Sequence, residues 1–177
     1  MTADLSAPAR SLVVSDCDQY RYLLSERWGD GNRCIAWVML NPPLQEAGSS
    51  PTLERVTRYS RNWGFDRLVI VNLFARRLDG VEELSRADDV IGSKNPDFIR
   101  RAVSDADLAV VGWGDGVLHF GRRPRTLDTL EQLRRSKIVM LCFGLTEAGN
   151  PLHPSALAPG LIPFVWTPAA SCAGRTA

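Results

Sequence analysis

The sequence has little histidine and almost no lysine. Only His119 and His153 supply imidazole groups, and only Lys94 and Lys137 are lysines among the 21 Lys and Arg residues. Arginine forks suit phosphates and base edges, but a high genomic GC content produces the same bias. The formal net charge is +1, which gives no support to a strongly electrostatic nucleic-acid binder and leaves room for a weaker one.

Several patterns are missing as well. No stretch approaches about 18 consecutive apolar residues, so we expect no membrane span. The first residues lack the basic-then-apolar order of a secretory signal, which favours a cytoplasmic protein. None of the cysteines forms a C-x-x-C pair, and P-loop, dinucleotide-binding and nucleophile-elbow motifs are absent, so we expect neither a metal site nor a cofactor. Cys34 and Cys142 fall in apolar runs and are expected in the core.

Apolar runs and helical patterns alternate along the chain. The predicted strands are residues 20–28, 34–40, 67–74, 107–113, 137–144 and 162–166. The first two flank Gly-Asp-Gly-Asn at 29–32, which predicts a β-hairpin between them.

Helices are predicted between the later strands. Ser50 as N-cap, Pro51 at the first position and Gly64 as a stop bound the first helix. A second helix opens with Asn95 as its cap and Pro96 at its first position. A third presents its leucines on one face, namely Leu127, Leu130 and Leu133.

This order predicts a three-layer α/β/α sandwich with a mainly parallel central sheet and an N-terminal hairpin. Residues 12–167 are expected to form one domain, with flexible tails at 1–11 and 168–177.

Polar side chains follow successive strands of the predicted sheet. Asn41 and Asn72 end the first two core strands, Trp113 and Asp115 follow the third, and His153 follows the fourth. Ligands of such sheets bind at the carboxyl ends of the strands, so we expect Asn41, Asn72, Trp113 and His153 in one pocket. The structural alternative is that an Asn beside Pro forms a turn or caps a helix, and that the histidine only fills a turn.

Short segments carry two family resemblances. The segments YRYLL, MLNP, NLFA, GWG and G-x-P-x-HP resemble a bacterial domain-of-unknown-function family, number 1643 in that series, over roughly residues 18–160. Their order also resembles the uracil-DNA glycosylase superfamily. The matching segments are Met39-Leu40-Asn41-Pro42-Pro43, Leu68-Val69-Ile70-Val71-Asn72, Trp113-Gly114 and His153-Pro154-Ser155-Ala156-Leu157.

The second resemblance implies a glycosylase-like fold and hydrolysis of an N-glycosidic bond in DNA or in a smaller nucleoside-type substrate. Asn41 and His153 would be catalytic, Asn41 by orienting a water and His153 by donating a hydrogen bond to the departing base. The implied substrate-binding residues are Asn72, which would read a base edge, together with Phe74 as a substitute stacking ring, Trp113 and Ser155. DNA, a nucleotide or a nucleobase is the implied partner.

Two features favour other functions. No aromatic residue lies between Pro43 and Pro51, where the superfamily keeps its stacking ring, and the net charge is close to neutral. Both favour a non-catalytic nucleic-acid or nucleotide binding module, or a different small-molecule enzyme on the same fold, over repair of duplex DNA.

Overall fold

The computed structural model of the protein describes residues 9–44, 50–120, 124–158 and 160–167. In chain order the elements are β1 (Ala9–Val14), β2 (Arg21–Arg27), β3 (Cys34–Met39), α1 (Pro51–Asn62), β4 (Arg67–Asn72), α2 (Val81–Arg86), α3 (Asn95–Ser104), β5 (Leu108–Val111), α4 (Pro124–Ser136), β6 (Met140–Cys142) and β7 (Phe164–Val165). Two 3₁₀ helices cover Gly114–Phe120 and Pro154–Ala156. Within these ranges no helix combines the length and the apolar character needed to cross a membrane.

The seven described strands belong to one mixed sheet in the order β1-β2-β4-β3-β5-β6-β7. The four central strands, β4, β3, β5 and β6, are parallel to one another. β1 and β2 are antiparallel at one edge, and β7 is antiparallel at the other. The chain therefore has an α/β fold, as predicted.

Alternate residues of β3 enter two separate hydrophobic clusters, one on each face of the sheet. Ile35 and Trp37 pack with Val56 of α1, whereas Ala36 and Val38 pack in a cluster that includes residues of α2, α3 and α4. Because every residue of β3 is buried, helices cover this central strand from both sides. Continuous burial explains its unbroken apolar sequence.

The predicted hairpin between residues 20–28 and 34–40 is wrong. β4 lies between β2 and β3, antiparallel to the former and parallel to the latter. The N-terminal hairpin is formed by β1 and β2 instead, so residues 9–11 of the predicted tail belong to a strand. The rest of that tail and residues 168–177 lie outside the described residues.

The turn at residues 29–32, which predicted the hairpin, contacts Asp66, the residue just before β4. Trp28 N and Gly29 N donate to Asp66 O at 3.0 and 3.2 Å, and Arg33 N donates to Asp66 Oδ2 at 2.9 Å. A Cβ on Gly31 would lie 2.4 Å from Asp66 Oδ2. The glycines at this turn therefore make room for the carboxylate that precedes the intervening strand.

Helix α1 begins and ends as predicted. Ser50 Oγ accepts a hydrogen bond from Leu53 N at 3.2 Å, and Pro51 is the first helical residue. Gly64 follows the end of the helix with a left-handed φ of +76°, which glycine adopts without steric cost.

The cap predicted for α3 is wrong by one residue. Lys94 is the N-cap, and Asn95 is the first helical residue. Asn95 is fully buried, and its Nδ2 donates to Asn72 O at 3.0 Å and to Leu73 O at 3.1 Å. Its amide thus joins the start of α3 to the end of β4.

Strand β6 is shorter than the predicted run 137–144. Val139 is 52% exposed and precedes the strand, and the two-residue β7 pairs only with Leu141 and Cys142 at this edge. The expected core positions Cys34 and Cys142 are buried.

The sequence predicts that the leucines of α4 share one helix face. Leu133 is buried in the cluster on the α3 side. The side chains of Leu127 and Leu130 lie outside the described part of the structure.

Candidate functional site

A cavity of about 730 Å³ opens at the carboxyl edge of the parallel strands. It lies beside the residues that follow β3 and β5, which are neighbours in the sheet. From β3 the chain passes to α1 on one face, and from β5 it passes to α4 on the other. Neighbouring strands whose connections leave to opposite faces create a crevice in which ligands bind.

Apolar and polar side chains share the cavity wall. The apolar part includes Leu24, Met39, Leu53, Ile70 and Trp113. The polar side chains are those of Arg21, Asn41, Ser50, Thr52, Asp79, Asp115, His153 and Ser155. An apolar cavity with a few convergent polar groups is typical of small-molecule sites.

The structure brings together four of the six predicted site residues. Those that line the cavity are Asn41, Trp113, His153 and Ser155. Asn72 and Phe74, at 1% and 3% exposure, are buried and lie outside the cavity lining. Phe74 belongs to the hydrophobic cluster on the side of α2 and α3.

The ring of His153 is held by the turn that follows it. Its Nδ1 accepts the Ser155 N–H at 3.2 Å and lies 2.8 Å from Ser155 Oγ. A backbone N–H can only donate, so we assign Nδ1 as unprotonated and place the proton of the neutral ring on Nε2. Burial lowers the pKa of His153, which keeps the imidazole neutral at pH 7. The side chain therefore offers a neutral Nε2–H donor.

Close backbone contacts hold residues 151–155, here called the His loop, against the end of β5. Gly114 N donates to Pro151 O at 2.8 Å. A Cβ on Gly112 would lie 2.8 Å from Leu152 O, so glycine is required for this approach. The Gly-Trp-Gly sequence after β5 thus seats the His loop.

Helix α1 supports the His loop from another direction. Arg55 Nη1 donates to Pro154 O, and Pro154 is buried. Just beyond the loop, Leu157 packs in the hydrophobic cluster of α1. These contacts leave the imidazole little freedom.

The amide of Asn41 is fixed by two backbone carbonyls. Its Nδ2 donates to Pro42 O at 3.0 Å and to Leu78 O at 2.9 Å. Because carbonyls only accept, this assigns Nδ2 and uses both of its protons. The Oδ1 remains as an acceptor for a water or a ligand N–H.

Two carboxylates also line the cavity. Asp115 Oδ1 accepts hydrogen bonds from Thr146 Oγ1 at 2.6 Å and Asn150 Nδ2 at 2.7 Å, and these bonds lower the pKa of Asp115. Asp79 Oδ1 accepts from Leu44 N at 2.9 Å. Asp115 was visible as a strand-end residue, whereas Asp79 lies in a loop with no such signal. In the described residues no cluster of three or more His, Cys, Asp or Glu side chains could hold a metal ion.

Asn72 contacts an arginine that the sequence analysis missed. Arg21 Nη2 donates to Asn72 Oδ1 at 3.1 Å, and Arg21 is the member of the pair that lines the cavity. Its position follows once β2 is known to run antiparallel to the central strands, because Arg21, the first residue of β2, then lies at the edge where those strands end.

The fold and the cavity define an α/β protein with a pocket at the carboxyl edge of its sheet. Residues 21–155 match the family described as "Protein of unknown function (DUF1643)", and the chain belongs to this family. The membership expected from the MLNP, NLFA and GWG segments is thereby confirmed. No curated protein and no solved structure matches the chain.

Proposed function

We propose that the protein recognises a nucleobase or nucleotide in this cavity and hydrolyses the N-glycosidic bond of a nucleoside-type substrate. The observation that carries the proposal is the fixed, neutral Nε2–H of His153, in a cavity that Asn41 and Asp115 also line. A departing base needs such a donor because negative charge collects on its oxygen as the bond breaks.

Each polar group has a distinct role in the proposed reaction. Water adds to C1′ of the sugar, the C1′–N bond breaks, and the base leaves with the electron pair. His153 Nε2–H stabilises the negative charge on the base without giving up its proton. Asp115 is an ionised carboxylate at pH 7, and its hydrogen bonds lower its pKa further, so it stabilises positive charge on the sugar. Asn41 Oδ1 accepts a hydrogen bond from the water, whose released proton is balanced by protonation of the base from solvent.

The proposal includes a fold of the uracil-DNA glycosylase type, with three α/β/α layers. Its support is the cover of β3 by α1 on one face and by α2, α3 and α4 on the other. Asn41 and His153 occupy the same edge in the chain order of the superfamily's motifs. Both rings belong to the same hydrophobic cluster, but Trp113 lines the cavity and Phe74 does not, so Trp113 is the ring assigned to contact the base. A cytoplasmic location stays a prediction.

Single-turnover assays test the proposed hydrolysis. Uracil-, hypoxanthine- and mismatch-containing oligonucleotides, nucleosides and nucleoside monophosphates serve as substrates, and free base is quantified by chromatography. His153→Ala should lower the rate of base release by roughly 10²–10³-fold, the usual loss for one such donor, and should change binding far less. Ser11→Ala is the control, because it removes an exposed hydroxyl outside the cavity lining and should leave base release unchanged.

The outcomes separate the alternatives. Binding without base release by the wild type would overturn the hydrolase and favour a non-catalytic binding module. A wild type that neither binds nor cleaves any of these substrates would overturn nucleobase recognition as well.

A further inference from the structure

The turn at residues 146–150 holds the carboxylate of Asp115 by two side-chain hydrogen bonds. Thr146 Oγ1 donates to Asp115 Oδ1 at 2.6 Å, and Asn150 Nδ2 donates to the same oxygen at 2.7 Å. Building on the proposed function, we infer that Thr146 and Asn150 are positioning residues for Asp115, which hold one carboxylate oxygen and leave Oδ2 to the substrate. Asp115 lines the cavity, whereas both donors lie outside its lining, so they act on the substrate only through Asp115.

Backbone hydrogen bonds fix the turn that carries the two donors. Thr146 N donates to Asn150 O at 2.8 Å, and Gly149 N donates to Thr146 O at 2.9 Å. Thr146 Oγ1 also accepts the Asn150 N–H at 3.1 Å, so both the donor and the acceptor side of this hydroxyl are used. The carboxylate is therefore held in place before a substrate enters, as electrostatic stabilisation of a transition state requires.

The same turn connects Asp115 to His153. It runs directly into the His loop, which begins at Pro151. Gly114, the residue before Asp115, donates its backbone N–H to Pro151 O at 2.8 Å. Asp115 is thus attached to this stretch of chain twice, by its own side chain and by the preceding backbone. The turn therefore sets the spacing between the proposed carboxylate and the proposed His153 donor.

The chemistry of the two donors suits the role proposed for Asp115. The hydrogen bond from Thr146, followed by that from Asn150, lowers the pKa of Asp115, because both bonds favour the charged form of the carboxyl group. Both donors are neutral side chains, so they orient the carboxylate without cancelling its charge. Among the described residues Asp115 Oδ2 accepts no hydrogen bond. The negative charge therefore remains available to the positive charge that develops on the sugar.

A double-mutant cycle tests the inference by single-turnover base release. The substrates are uracil- and hypoxanthine-containing nucleosides, their 5′-monophosphates and oligonucleotides. Thr146→Val removes the hydroxyl and should slow base release by about 10-fold, the lower end for a hydrogen bond to a charged group. Thr146→Ser keeps the hydroxyl and should retain most of the wild-type rate. In an Asp115→Asn background Thr146→Val should cause no further loss, because it acts through the carboxylate.

Two more variants complete the test. Glu147→Gln, at an exposed position in the same turn, is the matched control and should leave base release unchanged. If Thr146→Val does not fold, Asn150→Asp takes its place. It loses the Nδ2 donor and adds a negative charge beside Asp115, so it should also slow base release, and only where Asp115 is present.

Failure of the inference differs from failure of the proposed function. Equal rates for Thr146→Val and Thr146→Ser would overturn the inference alone, since base release by the wild type would still stand. An equal loss from Thr146→Val with and without Asp115 would also overturn it, because a residue that only stabilises the turn acts independently of the carboxylate. No base release by the wild type from any of these substrates would overturn the proposed function, and the inference with it.

Discussion

Replacing Gly112 by alanine should displace the His loop from the end of β5. The new Cβ would lie 2.8 Å from Leu152 O and 3.0 Å from Pro154 Cδ, whereas favourable contacts between heavy atoms need about 3.5 Å. The nearer atom belongs to the backbone, so no side-chain rotation relieves the clash. The loop must move by about 0.5 Å or more, and His153 must move with it.

Gly112→Ala should lower the free energy of unfolding because of overpacking, and it should lower the rate of base release because the His153 donor is displaced. Inserting a methyl group into a well-packed contact destabilises by about 1–3 kcal/mol, which corresponds to about 2–4 °C in Tm per kcal/mol for a domain of this size. Misplacing a catalytic group by about 1 Å costs about 10²-fold in rate. Urea denaturation and single-turnover base release by Gly112→Ala measure the two effects.

Gly116→Ala is the matched control in the same segment. Its Cβ would meet Leu40 Cδ2 at 2.3 Å, but this is the end of a side chain that can rotate. The substitution should therefore disturb the His loop less than Gly112→Ala does. Wild-type stability and base release in Gly112→Ala, or greater damage from Gly116→Ala, would refute the reasoning.

Three further predictions concern protonation, charge and core hydrogen bonding. Burial lowers the pKa of His153 in the folded protein, so as the pH falls the histidine of the unfolded chain takes up its proton before that of the folded protein does. The free energy of unfolding should therefore decrease as the pH falls below about 6.5, the ordinary pKa of histidine. Base release should persist until the lowered pKa is reached. Denaturation and rates at graded pH check this, and a rate that declines already at neutral pH would contradict it. Asp115→Asn should slow base release by about 10²-fold. It should lower the free energy of unfolding only modestly, because asparagine keeps an Oδ1 that can accept from Thr146 and Asn150; an unchanged rate argues against the role of Asp115. Ser60→Ala should lower the free energy of unfolding by about 1–3 kcal/mol, because the buried Trp37 Nε1 loses its acceptor at 3.0 Å. Ser11→Ala, at an exposed hydroxyl contact, is the control, and equal urea midpoints for the two variants would contradict this.

Short sequence patterns predicted the helices and strands whose bounds depend on neighbouring residues in the chain. Helix α1 could be bounded because its cap residue Ser50 and first residue Pro51 act within one turn. The apolar runs of β4 and β5 identified buried strands because both faces of these strands are covered.

The neighbour of β2 could not be predicted in the same way. A turn between two strand-like runs has the same sequence whether the strands pair or a third strand separates them. The partner that this turn contacts in the folded chain, Asp66, is about 35 residues downstream of the turn at 29–32. The exposed β1 (Ala9–Val14) carries no burial pattern from which to predict a strand.

The residues of the candidate site that could be predicted are those that directly follow parallel strands. Asn41 and His153 follow parallel strands and line one cavity. Arg21 and Asp79 were missed because one begins an antiparallel strand and the other lies in a loop. The assignment of Asn72 to the cavity did not allow for Arg21, which binds its Oδ1 and lines the cavity.

The most direct test of the central claim is single-turnover base release by the wild type and by His153→Ala on one panel of nucleosides, nucleoside monophosphates and base-modified oligonucleotides. The account predicts that the wild type releases free base from at least one nucleoside-type substrate. It also predicts that His153→Ala releases it roughly 10²–10³-fold more slowly, with similar affinity and an unchanged urea midpoint. Equal rates for the two proteins, or no base released from any substrate by the wild type, would contradict it.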